Sequence, residues 1–344
     1  MLLTSTSVLT EVYDLAMLDL DGVVYIGAEA VPGAAGHIAA ARSAGMRIAF
    51  VTNNASRPPE TVAQHLSDLG VSASASDVVT SAQAAARLAR GRWGRGARVV
   101  CLGAPGLEQA LVEAGLVPVG VEEEAVGLVS GYGPDLRWST IMRAAVLIGD
   151  GLPWVASNTD QSIPTAFGVA PGHGVLVEMV SRFTGVVPVV AGKPERPLLD
   201  ETVRRVGGAR PLMIGDRLDT DIEGARNAGV DSLLVLTGVT GLGDLVAAPV
   251  PLRPSYLSAN LAGLFDAHVA PTRVEDRWVA GGWSCRVAKD GRIEMATDAA
   301  RPDAAQRDDW WRAVAAAAWD HLDRTGSVVD ITAARVPAPD PSAR

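Results

Sequence analysis

Cysteine is almost missing from this chain: Cys101 and Cys285 are the only two in 344 residues, and they lie far apart. A disulfide scaffold is thereby excluded, and a reducing compartment is the default expectation. Basic residues are in deficit. Thirty Lys and Arg stand against 39 Asp and Glu, giving a net charge of −9 and a pI near 5.1, which argues against general affinity for nucleic acid or for an anionic membrane. Any anionic ligand therefore needs a local positive site. Long apolar runs are absent too, because Asp, Glu, Arg or Pro interrupts each one before the roughly 20 residues that a membrane-spanning helix requires. Residues 1–12 carry neither a basic residue ahead of an apolar run nor a small-residue cleavage site. No secretory signal is expected, and the cytoplasm is the expected compartment. The chain shows no internal repeat and no low-complexity tract.

What is present reads as a soluble globular protein. With 48% hydrophobic residues, 20% charged residues and 36 glycines, a sizeable core broken by many turns is expected, and the length suggests two or three domains. The apolar run at 15–20 reads as a buried strand ending in Asp19-Leu20-Asp21-Gly22, where Gly22 lets the backbone turn. A helix at 33–44, stopped by Gly45, and a strand at 46–51 running into Thr52-Asn53-Asn54 complete a βαβ unit. Pro58-Pro59 then opens a helix with Val62, Leu66 and Leu69 on one stripe. Strands at 99–102, 125–129 and 154–157 alternate with helices at 107–114 and 138–148 as a separate α/β layer. After Gly192-Lys193-Pro194 the first pattern resumes, with a helix at 197–206, a strand at 211–214, a helix at 221–228 and a strand at 232–236.

The fold expected is therefore α/β: a Rossmann-like parallel sheet core, residues 1–80 and 190–250, interrupted by an inserted α/β domain at 81–189. Such sheets take ligands beyond the carboxyl ends of their strands. The three prolines of 247–254 mark a linker. Beyond it, 270–333 reads as a small C-terminal α+β appendage, with a hairpin (277–296) and a helix (304–322) that hold five of the eight tryptophans. The proline-rich end from 334 is expected to fray.

Asp19 and Asp21 are two apart on a strand, so their side chains leave on one side unless the turn intervenes. Mutually repelling carboxylates at the tip of an apolar strand make sense with a cation or a proton, and Mg²⁺ suits an oxygen-rich setting. A solvated cap is the plain alternative for a bare Asp-x-Asp-Gly. Thr-Asn-Asn alone is a simple turn, and a single Lys-Pro is most often surface. Together, however, Asp19, Thr52, Lys193 and Asp216 fall at four strand ends.

Four ordered motifs, Asp19-Leu20-Asp21-Gly22-Val23, Thr52-Asn53-Asn54, Lys193-Pro194 and Gly215-Asp216-Arg217-Leu218-Asp219-Thr220-Asp221, resemble the haloacid dehalogenase superfamily of phosphatases. The long insert and Ala156-Ser157-Asn158-Thr159-Asp160 resemble its branch with a large α/β cap of the C2 type. That branch includes phosphoglycolate, glycerol-3-phosphate, pyridoxal phosphate and 4-nitrophenyl phosphate phosphatases. The resemblance spans roughly residues 12–240 and says nothing of the tail.

It implies a Mg²⁺-dependent phosphatase in which Asp19 attacks phosphorus to give an aspartyl phosphate. Asp21 would protonate the leaving alcohol and then activate water. Family members that must preserve the phosphoaspartate usually carry Thr at this place, so an acid here favours turnover. Thr52, the Asn53 backbone N–H and Lys193 would hold the phosphoryl oxygens. Metal ligation would fall to Asp19, the backbone carbonyl of Asp21, and Asp216. Asp219 and Asp221 would support those ligands or hold Lys193, although Asp221 could equally cap the following helix.

Substrate choice is expected from the cap, around Asn158 and Asp160 and from His173 within Pro171-Gly172-His173-Gly174. The expected partner is a small phosphorylated metabolite such as glycerol 3-phosphate or phosphoglycolate, with no nucleic acid and no membrane, and the sequence leaves room for a homodimer through the cap. Gly103-Ala104-Pro105-Gly106 lacks the spacing of a dinucleotide loop and reads as a turn. The tail tryptophans read as the core of a small domain. Two rival functions stay open: a catalytically quiet phosphate-binding or partner-binding protein whose tail does the work, and phosphotransfer to an acceptor other than water.

Overall fold

The computed structural model describes residues 1–165, 167–297 and 304–337. The chain forms two compact units, one from Met1–Ile48 with Gly208–Arg344 and the other from Ala49–Gly207.

In the first unit Leu15–Leu18 is buried at every position, as a strand covered on both faces must be. It runs parallel to Pro211–Gly215, which pairs in parallel with Asp231–Val235, and that strand in turn with Tyr256–Ser258. Leu18 lies opposite Ile214, so Asp19 and Asp216 follow two neighbouring strands at the same end of the sheet. The next strand, Arg47–Thr52, begins in this unit, where the Arg47 N–H donates to the Asp14 carbonyl at 3.0 Å. Its last four residues belong to the second unit.

The helix expected at 221–228 begins only at Glu223, after a wide π-type turn at Leu218–Ile222. There the Asp221 side chain folds back to accept the Arg217 N–H at 3.1 Å, while the Ile222 N–H reaches the Arg217 carbonyl at 3.2 Å. The expected linker at 247–254 holds one short turn, Val250–Leu252. Directly after it comes the strand Tyr256–Ser258, which is too short to be seen as a pattern in the sequence.

The C-terminal part is a four-stranded antiparallel sheet in the order Thr272–Val274, Arg277–Ala280, Trp283–Val287, Ile293–Thr297, joined to the helix Ala304–Thr325. The expected hairpin is thus part of a larger sheet. Residues 338–344, most of the end expected to fray, lie outside the described residues. Trp278, Cys285, Trp310 and Val314 form one core cluster. The same helix also turns Ala315 and Trp319 into a second cluster with Leu218, Leu234 and Leu257. The Trp319 indole donates to the Leu245 carbonyl at 2.7 Å, and the Asp308 carboxylate accepts from the Ser258 hydroxyl at 2.5 Å and the Ala259 N–H at 2.8 Å. The tail helix therefore finishes the core behind the parallel sheet.

The second unit carries a parallel five-stranded sheet in the order Val189–Val190, Trp154–Ala156, Gly127–Ser130, Arg98–Leu102, Val117–Val119. Helices Pro105–Glu113, Trp138–Gly149 and His173–Thr184 alternate with the strands, and a hairpin pairs Ser162–Thr165 with Gly168–Pro171. The helix Ser81–Trp93 escapes pattern reading because its buried face is built mostly of alanine. Its start was legible in Thr80-x-x-Gln83, a reciprocal cap in which the Gln83 N–H donates to the Thr80 hydroxyl at 3.3 Å and the Thr80 N–H to the Gln83 side chain at 3.0 Å.

Because Trp319 is 2% exposed and hydrogen-bonded, Trp319→Ala is expected to lower the unfolding free energy by about 3–5 kcal/mol. Urea denaturation measures this, and a loss below about 1 kcal/mol would mean that the tail helix is not part of the core.

Candidate active site

The parallel strands of the first unit deliver its acidic group. Asp19 is the first residue past Leu15–Leu18, with its N–H donating to the Ile214 carbonyl at 2.8 Å. Asp216 is the first past Pro211–Gly215. One carboxylate oxygen from each of Asp19, Asp216 and Asp221 lies within 4.8 Å of the others. Asp216 and Asp221 are buried and Asp19 is half-buried. The Val239 N–H donates to Asp216 Oδ2 at 2.6 Å, while the Asp216 carbonyl accepts from the Thr240 hydroxyl at 2.5 Å.

Glycine makes room for this group. A Cβ on Gly22, whose φ is +82°, would stand 2.4 Å from Asp216 Oδ2; one on Gly238 would stand 2.0 Å from the same atom, and one on Gly215 would stand 2.2 Å from Asp221 Oδ2. Any side chain at these positions would push a carboxylate aside. Gly22 also needs its positive φ for the turn in which its N–H reaches the Tyr25 carbonyl at 2.7 Å.

The Asp21 carboxylate is not in the three-carboxylate group. Burial pushes its carboxyl above the usual range, opposed by the Gly27 N–H, so it holds a proton more readily than an exposed aspartate. Asp219 departs from expectation. It is exposed and gripped by Arg217 at 2.8 and 3.1 Å, so its carboxylate is engaged at the surface rather than behind the ligands. Asp221 takes a more direct place than expected, among the three clustered carboxylates.

The second unit holds the other motif residues. Thr52 ends the strand Arg47–Thr52, and its hydroxyl accepts the Asn54 N–H at 3.1 Å. The Asn53 side-chain amide acts as a local strand partner for residue 193: Oδ1 accepts the Lys193 N–H at 2.8 Å, and Nδ2 donates to the Lys193 carbonyl at 2.9 Å. Gly192 allows this approach, since a Cβ there would meet Asn53 Oδ1 at 2.6 Å. Lys193, in a cis peptide with Pro194, is 2% exposed. Its Nζ lies 3.5 Å from the Val51 carbonyl.

The residues expected to touch substrate from the cap have other occupations. Asn158 is buried, and its Nδ2 donates to the Asn53 carbonyl at 2.6 Å while its Oδ1 accepts the Asp160 N–H at 3.1 Å. Asp160 Oδ1 accepts from Asn53 Nδ2 at 2.9 Å. Ser81, absent from the sequence-based set, donates its hydroxyl to the Asn53 carbonyl at 2.5 Å. Its position as the first residue after the Thr80 cap was the available signal.

His173 does not reach outward. It is 3% exposed, with Nε2 at 3.1 Å from the Ser130 hydroxyl, which also accepts the Trp154 indole N–H at 2.8 Å. Burial pushes His173 down to about 4. The loop Thr237–Thr240, which closes over Asp216, was also missed, although the run Gly238-Val239-Thr240-Gly241 after a strand is a visible turn signal.

The family model for haloacid dehalogenase-like hydrolases matches residues 16–117, and a model for HAD-like hydrolases matches 190–264. The D-glycerol 3-phosphate phosphatase of Mycobacterium tuberculosis is 41% identical over 286 residues, 82% of this chain and 80% of the relative. An acid sugar phosphatase of Staphylococcus aureus is 34% identical over 252 residues, 73% of this chain and 96% of the relative. Among solved structures, the glycerol phosphate phosphatase of M. tuberculosis in complex with magnesium superposes with a TM-score of 0.82 at 38% identity, covering 91% of this chain and 92% of that one. A 4-nitrophenylphosphatase from Thermotoga maritima gives 0.70 at 30% identity, covering 75% and 98%.

The His173 environment sets a pH dependence. Its folded pKa of about 4 lies below the unfolded value of about 6.5, so at pH 5 the unfolded chain binds a proton there that the folded one does not. Stability is thus expected to fall as pH drops below about 6.5, by about 2 kcal/mol at pH 5 from this residue. Urea unfolding of wild type and His173→Gln at pH 7 and 5 checks it: the wild type should lose more than the variant, and equal losses would contradict a buried neutral imidazole.

Proposed function

Because the chain belongs to the haloacid dehalogenase-like hydrolases and is a phosphatase of that family, we propose that it hydrolyses a small phosphomonoester of the glycerol 3-phosphate type through an aspartyl phosphate on Asp19. The observation that carries this reading is the gathering of Asp19, Asp216 and Asp221 within 4.8 Å at the carboxyl ends of parallel strands.

The donor set fits Mg²⁺. Three hard carboxylate oxygens, two of them buried and walled by glycine backbone, match what that ion prefers and offer no soft ligand. Asp19, Asp216 and Asp221 would hold it. When bound, it neutralises the charge that builds up as a carboxylate meets a phosphate dianion.

The chain's own groups then divide the work. Asp19 attacks phosphorus as the bond to the alcohol oxygen breaks, and Asp21 gives its proton to that oxygen. The same Asp21, now a carboxylate, takes a proton from the water that attacks the aspartyl phosphate. Phosphate leaves, Asp19 is restored, and Asp21 is again an acid. Burial of Asp21 supports this role by favouring its protonated form. Thr52, the Asn53 N–H and Lys193 are assigned to the phosphoryl oxygens. Asn158, Asp160 and Ser81 are assigned to holding Asn53 in position.

Residues 1–80 and 190–250 are assigned to the catalytic core, 81–189 to the substrate-selecting cap, and 270–333 to the C-terminal domain. No helix among the described residues is long and apolar enough to cross a membrane, and a cytoplasmic site of action is part of the proposal.

The test is Mg²⁺-dependent release of phosphate from glycerol 3-phosphate and of 4-nitrophenol from its phosphate ester. Asp19→Asn should lose activity by about 10³-fold or more on both. Asp21→Asn should lose about 10²–10⁴-fold in steady state, yet keep a first burst of 4-nitrophenol, because that leaving group needs no acid. Undiminished turnover in Asp19→Asn would refute the covalent route.

A further inference from the structure

The loop that follows strand Asp231–Val235 is tied to the acidic group more closely than a simple connection needs to be. In the parallel sheet Asp231–Val235 neighbours Pro211–Gly215, which in turn neighbours Leu15–Leu18. A loop leaving the first of these must cross the end of the second, where Asp216 lies, to reach the chain beyond the third, about 10 Å away across two strand spacings. Residues 237–240 do so. The Thr237 hydroxyl donates to the Gly22 carbonyl at 2.5 Å, in the turn that follows Asp19 and Asp21. On the way, the Val239 N–H donates to Asp216 Oδ2 at 2.6 Å, and the N–H and hydroxyl of Thr240 both donate to the Asp216 carbonyl, at 3.2 and 2.5 Å.

The contact is as close as backbone allows. A Cβ on Gly238 would stand 2.0 Å from Asp216 Oδ2, and one on Gly22 would stand 2.4 Å from the same atom, so the carboxylate touches both the loop and the turn. The loop is itself held at each end. Before it, the Leu236 N–H donates to the Ser258 carbonyl at 3.2 Å. After it, the short helix Leu242–Val246 buries Leu245 and Val246, and the Leu245 carbonyl accepts the Trp319 indole N–H.

On the reading of Asp19, Asp216 and Asp221 as a Mg²⁺ site, on which this rests, we propose that Thr237 and Thr240 are positioning residues for the cation. Their hydroxyls fasten the turn after Asp19 and the backbone of Asp216 to one loop, so two ligand carboxylates stay at binding distance before the ion arrives. Without a cation the carboxylates repel, and strand ends free to part would relieve that repulsion by separating. Each threonine opposes the movement through a backbone carbonyl, not through a carboxylate oxygen, so neither takes a ligand atom from the ion. Groups already held in place lose less freedom on binding, and partners set behind metal ligands in this way are worth about 10–100-fold in affinity.

Titration calorimetry of the full chain with Mg²⁺, without substrate, tests this. Thr237→Val and Thr240→Val keep the shape of the side chain and remove the hydroxyl; each is expected to raise the Kd for Mg²⁺ about 10–100-fold. Thr237→Ser and Thr240→Ser restore a donor and should bind closer to wild type than to the valine variants. Urea unfolding with Mg²⁺ and with EDTA separates positioning from plain loss of structure. An ion stabilises the fold according to how far it saturates its site, so the gain on adding Mg²⁺ should shrink in the valine variants, whereas a purely structural hydroxyl would lower stability equally in both conditions. Thr240 is buried; should Thr240→Val fail to fold, Thr237→Val, at a half-buried position, decides the matter. Valine variants that bind Mg²⁺ as wild type does would overturn the role of the threonines and leave the Mg²⁺ site standing. A wild type that takes up no Mg²⁺ would overturn the site itself, and this role with it.

Discussion

The structure of the first unit depends on bringing three carboxylates together where they repel. With Asp19, Asp216 and Asp221 offering oxygens within 4.8 Å of one another, each pair of ionised carboxylates repels by at least about 3.5 kcal/mol at an effective dielectric near 20. Burial of two of them adds a desolvation penalty. Nothing in the local sequence favours this except the sheet: Leu15–Leu18 and Pro211–Gly215 pair in a register that ends both strands at the same level. The glycines then complete it. Gly22, Gly215 and Gly238 lie so near these carboxylates that a single methyl would collide. A fold tolerates such an arrangement when a cation offsets the repulsion, and that is why the geometry points to a bound cation more firmly than any one residue does.

Lys193 poses the opposite problem. Lys193 is 2% exposed, so the position of its long stem is set from the backbone beneath it. The side chain of Asn53 supplies that fixation by pairing with both the N–H and the carbonyl of residue 193. Asn158 and Ser81 bind the Asn53 carbonyl in turn. Three short polar side chains thus replace what a neighbouring strand would otherwise provide. Their hydrogen bonds leave Asn158 little capacity for a ligand, because its amide is already engaged by the Asn53 carbonyl and the Asp160 N–H.

How much of this was legible in the sequence follows from the range over which each feature is determined. Strand ends are local: an apolar run closing on Asp19 or Asp216 announces itself, and so do Pro59 and Pro197 at helix starts. Features made by distant pairing are not local. Tyr256–Ser258 is a strand only because Asp231–Val235 lies beside it, and Asp221 joins the acidic group only because a π-type turn aims it there. Ser81–Trp93 hid for another reason, since alanine gives little hydrophobic contrast even where it is buried. His173, expected to reach substrate from within Pro171-Gly172-His173-Gly174, is buried, which the local sequence does not announce. In the fold those glycines allow close backbone packing: a Cβ on Gly174 would stand 2.1 Å from the Thr159 carbonyl.

The tail shows the same limit. Its tryptophans were legible as a core, but which core was not. Trp310 packs within the antiparallel sheet and helix, whereas Trp319, nine residues later on the same helix, packs with Leu218, Leu234 and Leu257. Nine residues are two and a half turns, so the two rings leave opposite sides of the helix. One helix therefore faces two cores. Leu218 belongs to the turn that carries Asp221, so the packing of Trp319 reaches the back of the acidic group. The segment that the composition set apart as an appendage is, through this one helix, part of the packing behind the three clustered carboxylates.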